Sequence, residues 1–389
     1  MHLCLILFHI IYWNQLKNKS FTMKLTIIAG ARPNFMKIAP IIHSIQKYNT
    51  TPNSKLQTPI EFRLVHTGQH YDKNMSDTFF EELNIPMPNA NLGVGGGTQA
   101  EQTAGIMIEF EKELMQNPTD LVIVVGDVTS TMACSIVAKK LNTKVAHIEA
   151  GIRSWDLTMP EEINRMVTDS LADYFFTTTE VANENLRRFG AREEQIFFVG
   201  NVMIDTLLAN IDRFRKPDVF DNLSLKEKEY IMLTMHRPAN VDEAEKLKAL
   251  MNEIVNNVEG LPIIFPIHPR TAKIFTDLGI KEDNLFIVEP MGYLEFNYMV
   301  KHSKAVITDS GGITEETTVM GIPCITLRDN TERPETCTVG TNELIGTNPN
   351  AIKPALEKLF SGNWKKGGIP LLWDGNTSDR IIEKLIEIL

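Results

Sequence analysis

The sequence is short of several things, and each shortage removes a class of function. Cysteine occurs four times in 389 residues, at Cys4, Cys134, Cys324 and Cys337. These positions have neither metal-ligand spacing nor the look of a disulfide framework, so a stapled secreted scaffold is set aside and a reducing cytoplasm fits best. Cys134 and Cys324 lie in apolar segments and read as small buried hydrophobes. Positive charge is also scarce. With 39 Lys and Arg against 49 Asp and Glu, the formal net charge is −10, which argues against a nucleic-acid surface but leaves room for a local basic pocket. No G-x-G-x-x-G follows the first strand. The similar "GVGGGTQ" at 93–99 follows no convincing strand, so it reads as a flexible loop and NAD is not implied. D-x-D and His/Cys clusters are missing too, so neither a metal nor a cofactor is expected.

Long apolar runs are missing as well. The N-terminal "MHLCLILFHIIYW" has about a dozen residues, too few to span a bilayer, and lacks a basic n-region and a cleavage site. No membrane association is expected. Residues 1–22 are read as an extra segment outside the fold, from an over-called start ahead of Met23; a peripheral tether is the alternative.

What is present is a composition of globular type, 43% apolar and 23% charged, in a chain too long for one ordinary core. Short apolar strands alternate with helical stretches. In the first half the strands are Leu25–Ile28, Phe62–Val65, Leu121–Val125, Val145–Ile148, Tyr174–Thr178 and Ile196–Val199. Amphipathic stretches such as Thr98–Met115 and Ser130–Leu141 lie between them. The second half repeats the theme with Ile231–Thr234, Pro262–Ile267, Leu285–Val288, Ala305–Thr308 and Cys324–Leu327. Near-continuous apolar strands separated by helices predict parallel sheets covered on both faces. The fold class is therefore α/β, with two doubly wound, Rossmann-like domains facing a cleft. Residues 23–205 are assigned to the first and 206–375 to the second, with a last helix over 376–389 packing back on the first.

Polar residues gather where the strands end. "GARPNFMK" places Gly30, Arg32 and Lys37 after the first strand, a cationic mouth suited to phosphate. "GDVTS" brings Asp127, "HIEAG" Glu149, and "MPEEINR" Glu161 and Arg165, four apart and able to pair on one helix face. Carboxylates converging on one cleft are expected to raise one another's pKa and to handle protons. From the second half come His236 in "TMHRPANVD", His268 in "IHPR", and Arg328, Glu332 and Arg333 in "LRDNTERPE". "TDSGGITEE" at 308–316 sets Ser310, Gly311 and Gly312 between a buried strand and a helix, where backbone N–H groups and the helix dipole favour an anion. Glu316, one turn on, suits the vicinal hydroxyls of a sugar. Together these describe a nucleotide-sized ligand.

Nine runs, "GARPNFMKIAP", "HTGQHYD", "GDVTST", "HIEAGIRS", "MPEEINR", "TMHRPANVD", "HPR", "TDSGGITEE" and "RDNTERPE", occur in the order found in the non-hydrolysing UDP-N-acetylglucosamine 2-epimerases. The chain closely resembles that family, whose architecture is the two-domain GT-B type. The resemblance implies that Arg32, His236, Ser310 and Gly311 hold a diphosphate, with Gly312 also in the substrate-binding set, that Glu316 binds ribose, and that Phe296 lies against uracil. It implies that Lys37, Asp127, Glu149, Glu161 and Arg165 surround the sugar, with Arg333 approaching from the second domain. Asp127, Glu149 and Glu161, with His236, are the implied catalytic set. Gln69 and His70 correspond to a loop involved in activation by a second UDP-sugar in some members. One departure is "GARPN", where many members have an acid in place of Asn34.

The activity so implied is reversible C2 epimerisation of UDP-N-acetylglucosamine by elimination of UDP to 2-acetamidoglucal and re-addition, in a cytoplasmic homodimer. The alternatives are an epimerase for a UDP-2,3-diacetamido sugar or its uronate, a hydrolysing epimerase, a GT-B glycosyltransferase, and a non-catalytic nucleotide-sugar sensor.

Overall fold

The computed structural model describes residues 22–51, 58–68, 80–241, 243–267, 275, 279 and 282–389. Gln69, His70 and His268, together with Cys4 and the extra N-terminal segment up to residue 21, lie outside the described residues.

The first sheet, among the described residues, holds seven parallel strands. These are β1 (Met23–Ala29), β2 (Ile60–His66), β3 (Ala90–Asn91), β4 (Leu121–Val125), β5 (Lys144–Ile148), β6 (Tyr174–Thr177) and β7 (Ile196–Phe198). Their spatial order is β3-β2-β1-β4-β5-β6-β7. All five residues of β4 are buried, as a strand covered on both faces requires. One face packs Ile38, Ile41, Ile42 and Ile45 of the helix Arg32–Thr50. The other takes Ile106, Phe110 and Cys134 from the helices Gln99–Gln116 and Thr129–Lys140. Thr98 begins the first of those two as a capping box with Glu101.

The second sheet is built on the same plan from β8 (Ile231–Thr234), β9 (Ile263–Pro266), β10 (Leu285–Val288), β11 (Ala305–Thr308), β12 (Cys324–Thr326) and β13 (Asn342–Leu344), in the order β10-β9-β8-β11-β12-β13. Two strands, β3 and β13, escaped the sequence reading. They are edge strands of two and three residues with no apolar run to announce them.

The strand orders decide where a ligand can sit. In each sheet the direction of winding reverses once, between β1 and β4 and between β8 and β11. Helices leave on opposite faces there, which opens a crevice at the carboxyl ends of the strands. Arg32, Lys37 and Asp127 follow the first pair, and His236 and Ser310 the second.

The end of the chain ties the two halves together. Trp373 is buried beside Ile204 and Leu207 and donates its Nε1–H to Thr178 O at 3.2 Å. The helix Thr377–Ile388 then lies against the helix Arg32–Thr50, with Ser44 Oγ 2.7 Å from Asp379 Oδ1. Its first turn is capped from another element, since Asp205 accepts the N–H groups of Thr377 at 3.1 Å and Ser378 at 2.7 Å. Replacing Asp205 by Ala is expected to lower stability by about 1–2 kcal/mol. Urea unfolding with an unchanged m-value checks it, and an unshifted midpoint would refute the capping role.

Candidate active site

At the first switch point the chain leaves β1 through Gly30 and enters the helix Arg32–Thr50. Asn34 secures that entry. Its Oδ1 accepts from the N–H groups of Gly30 at 3.1 Å and Ala31 at 2.9 Å, and its Nδ2 donates to Val125 O at 3.0 Å. A carboxylate could not make the last bond, so the departure from the family pattern has a structural use. Arg32 is the first residue of the helix, and its side chain lies outside the described residues. Lys37, further along the same helix, reaches Glu149 Oε2 in a buried ion pair. Burial alone would lower the Lys37 pKa, but Glu149 and Asp127 outweigh it and hold the ammonium above its ordinary value.

Glu149 follows β5 directly, with φ of +68°, a conformation that costs a non-glycine residue free energy and collects at functional sites. Its carboxylate is fully buried. Oε1 has no hydrogen-bond partner among the described residues, although Arg333 Nη2 stands 3.3 Å away. Gly126, with φ of +69°, makes room for this pair, because a Cβ there would come within 3.0 Å of Lys37 Nζ and 3.5 Å of Glu149 Oε2. His147 steadies the same turn, with Nε2 2.8 Å from Gly126 O and Nδ1 2.6 Å from Asp169 Oδ1.

Asp127 follows directly. Its Oδ2 takes both Nη2, at 2.6 Å, and Nε, at 3.0 Å, of Arg165. The expectation that neighbouring carboxylates would raise one another's pKa fails at this residue. Burial does oppose its ionisation, but Arg165 and Lys37 interleave the acids and hold Asp127 below its usual value. The expected Glu161–Arg165 pair also fails. The second acid of "MPEEINR" takes that place, with Arg165 Nη1 2.6 Å from Glu162 Oε2. Glu162 is wholly buried and accepts from the N–H groups of Ser154 and Trp155 as well. The i, i+3 direction points inward at this helix start and leaves Glu161 exposed. Glu161 instead lines a cavity of about 530 Å³ together with His236, Arg237 and Arg328.

At the second switch point the organising residue is Asp309, which the sequence reading passed over. It is fully buried and accepts from the N–H groups of His236 at 3.0 Å and Arg237 at 2.9 Å, and from Asn240 Nδ2 at 3.1 Å. Its Oδ1 lies 2.9 Å from His236 Nδ1. A carboxylate at Nδ1 directs the proton there and leaves Nε2 for the open side of the ring. Burial works against ionised Asp309, yet the His236 bonds prevail and its pKa lies below the ordinary value. An acid closing a buried strand directly before "SGG" was the signal available in the sequence.

Ser310 is the N-cap of the helix Gly311–Met320. A Cβ on Gly311 would fall 2.6 Å from Glu332 Oε1, whereas Gly312 faces open space. Glu332 itself is paired with Arg328 at 2.6 Å. Burial would raise its pKa, but Arg328 and Arg165 bring it down to about 2. Glu316, one turn into the helix, is buried and accepts from Tyr293 Oη at 2.9 Å and Asn297 Nδ2 at 3.5 Å. Burial pushes its pKa up to about 7 in spite of those bonds. Phe296, on the helix Tyr293–His302 that also carries Tyr293 and Asn297, is half-buried against the apolar cluster of Phe220, Tyr230 and Met299.

Lys37, Glu149 and Arg333 are thus joined by ion pairs, and Asp127 with Arg165 forms a second pair whose charge acts on Lys37. Glu161 and His236 share the adjoining cavity, and Ser310, Gly311 and Gly312 open the helix beyond it. Cys134 and Cys324 are buried, as their apolar context implied.

A family profile described as UDP-N-acetylglucosamine 2-epimerase matches residues 54–386. The chain belongs to that family. It is 43% identical over 380 residues to the UDP-N-acetylglucosamine 2-epimerase of Methanocaldococcus jannaschii, covering 93% of this chain and 99% of that one. It is 37% identical over 372 residues to the UDP-2,3-diacetamido-2,3-dideoxy-D-glucuronate 2-epimerase of Pseudomonas aeruginosa, covering 94% and 100%. A crystal structure of the Methanocaldococcus jannaschii epimerase in complex with UDP-GlcNAc and UDP superposes with a TM-score of 0.83 at 42% identity, covering 94% of this chain and all of that one. The two-domain, Rossmann-like architecture is therefore that of the UDP-GlcNAc 2-epimerases. Among the described residues no helix is long and apolar enough to cross a membrane.

Glu316 offers a test of this geometry in the unliganded protein. A carboxyl raised to about 7 when folded binds its proton more tightly than in the unfolded chain, where it titrates near the ordinary value. Its contribution to stability is therefore complete at low pH and is lost as pH rises through about 7. Glu316→Gln is expected to melt above wild type at pH 8 and to converge with it near pH 5. Equal melting temperatures at pH 8 would show that Glu316 is not desolvated as described.

Proposed function

We propose that this chain catalyses the reversible epimerisation of UDP-N-acetylglucosamine at C2. The observation that carries the reading is the pair of switch points. One holds buried carboxylates among fixed cations, and the other an N–H-rich helix start beside His236, Arg237 and Arg328. Abstraction of the barely acidic C2 proton becomes feasible when the electron pair it releases forms a C1=C2 bond and expels the diphosphate oxygen from C1. The product pair is 2-acetamidoglucal and UDP. Protonation of C2 from the other face and return of the UDP oxygen to C1 complete the inversion. Asp127, Glu149 and Glu161 handle the protons. Arg32, His236, Ser310, Gly311 and Gly312 stabilise charge on the departing diphosphate, while Glu316 holds ribose and Phe296 lies along the base.

The domain division belongs to the same reading. Residues 23–205 and 206–375 form the two halves, and 376–389 belongs with the first, supported by the packing of the closing helix on Arg32–Thr50. A cytoplasmic homodimer, and an activator role for Gln69 and His70, rest on the family resemblance. The relative at 37% identity makes a diacetamido uronate the second substrate to test.

Turnover in D₂O decides among these. Incubation with UDP-N-acetylglucosamine is expected to place deuterium at C2 of intact UDP-sugars of both configurations. Release of free N-acetylmannosamine with unlabelled UDP-sugar would instead indicate hydrolysis, and exchange only on the diacetamido uronate would move the substrate. Asp127→Asn is expected to lower kcat by roughly 10²–10⁴-fold. Near-normal turnover would remove Asp127 from proton transfer.

A further inference from the structure

Glu315 and Glu316 are neighbours on one helix, so their side chains point about 100° apart. Glu316 turns toward Tyr293 and Asn297. Glu315 turns the other way, into the seam between the two sheets, and is only 2% exposed. Its Oε1 accepts from Asn201 Nδ2 at 2.8 Å and lies 2.7 Å from Arg333 Nε. A buried ion pair is weak evidence of a stabilising role, because well-packed apolar residues usually fill such a space at less cost. The position of this carboxylate therefore calls for another use.

Arg333 supplies it. Beyond Glu315, its Nη1 donates to Thr178 Oγ1 at 3.1 Å, and Nη2 stands 3.3 Å from Glu149 Oε1. The guanidinium is a rigid planar fork, so fixing Nε and Nη1 determines where Nη2 lies. Glu315 is the anchor on the second sheet's side; Thr178 and Glu149 belong to the first.

We propose that Glu315 is a positioning residue of this site, fixing the Arg333 guanidinium against Glu149 and governing the net positive charge that Glu149 faces. The inference rests on the epimerase reading above, with Glu149 as a proton acceptor. Around Glu315 stand Arg333, Glu149, Lys37 and Asn201, with Glu332 and Glu335 also acting on Arg333. Lys37, Arg333, Glu149 and Glu315 make two cations and two anions. With Glu315 ionised, Arg333 is shared between two carboxylates. With Glu315 protonated or removed, that sharing ends and more positive charge bears on Glu149. Burial pushes the Glu315 carboxyl up, against the pull of Arg333, so it takes up a proton at higher pH than an ordinary carboxyl.

The test is Glu315→Gln, which keeps the shape and an acceptor for Arg333 but removes the charge. At pH 8 kcat for C2 exchange in D₂O is expected to fall roughly tenfold or more, with KM within about twofold, since the change is in proton transfer rather than substrate contact. The ratio of wild type to variant should shrink toward one as pH falls and wild-type Glu315 takes up its own proton. Wild-type kcat at pH 8, or a ratio independent of pH, would overturn the proposal. Should Glu315→Gln fail to fold, Glu315→Asp keeps the charge and is expected to retain a decline in kcat as pH falls; a flat profile overturns the proposal equally. Wild-type enzyme showing no exchange at any pH would count against the epimerase reading itself, separately from Glu315.

Discussion

The arrangement turns on one buried guanidinium. Arg333 leaves the second sheet's loops and ends among first-sheet residues, 3.1 Å from Thr178 and 3.3 Å from Glu149. In a place with little water, a cation has to be matched or it cannot be buried. That demand brings Glu315 and Glu149 to the same few ångströms and holds the two sheets in a fixed relation across the cleft. Trp373 and Asp205 reinforce the relation from behind, through Thr178 O and the start of the closing helix. A cleft whose polar groups are drawn from both sheets needs such a tie, because small errors in placement are costly for catalysis.

The site also carries features that a purely structural molecule would shed. Glu149 keeps a positive φ and an oxygen without a hydrogen bond. Glu316 keeps a carboxyl whose ionisation burial resists. Each weakens the unliganded fold a little, and such features collect at functional sites. Asp127 and Asp309 show the opposite treatment. They are matched so well by Arg165 and His236 that they stay charged in spite of burial. The acids of the cleft are thus differentiated by their partners and by nothing in their own chemistry.

Much of this was legible beforehand. The alternation of apolar strands with amphipathic helices announced parallel sheets, and glycines and charged residues at strand ends marked the cleft. Strand-end chemistry is local, so it survives in the sequence. What escaped reading depends on distant partners. Asn34 was noted as a lost acid, and only its bond to Val125 O shows why an amide belongs there. Glu161 and Glu162 are equivalent on paper, until the path of the chain at Ser154 and Trp155 selects Glu162 for burial. The edge strands β3 and β13 are too short to carry a pattern.

By itself, then, the sequence determined the kind of fold, the family and the collection of groups at the two switch points, since periodicity and motif order are written along the chain. The tertiary structure alone decided which acids pair with which cations, that Asp309 orients His236, and that Glu315 rather than Glu316 reaches the seam. Those outcomes depend on burial and on contacts that the chain path alone creates, 38 positions apart for Asp127 and Arg165, 73 for His236 and Asp309 and 114 for Asn201 and Glu315. The energy of a charge in such surroundings is set by its neighbours in space.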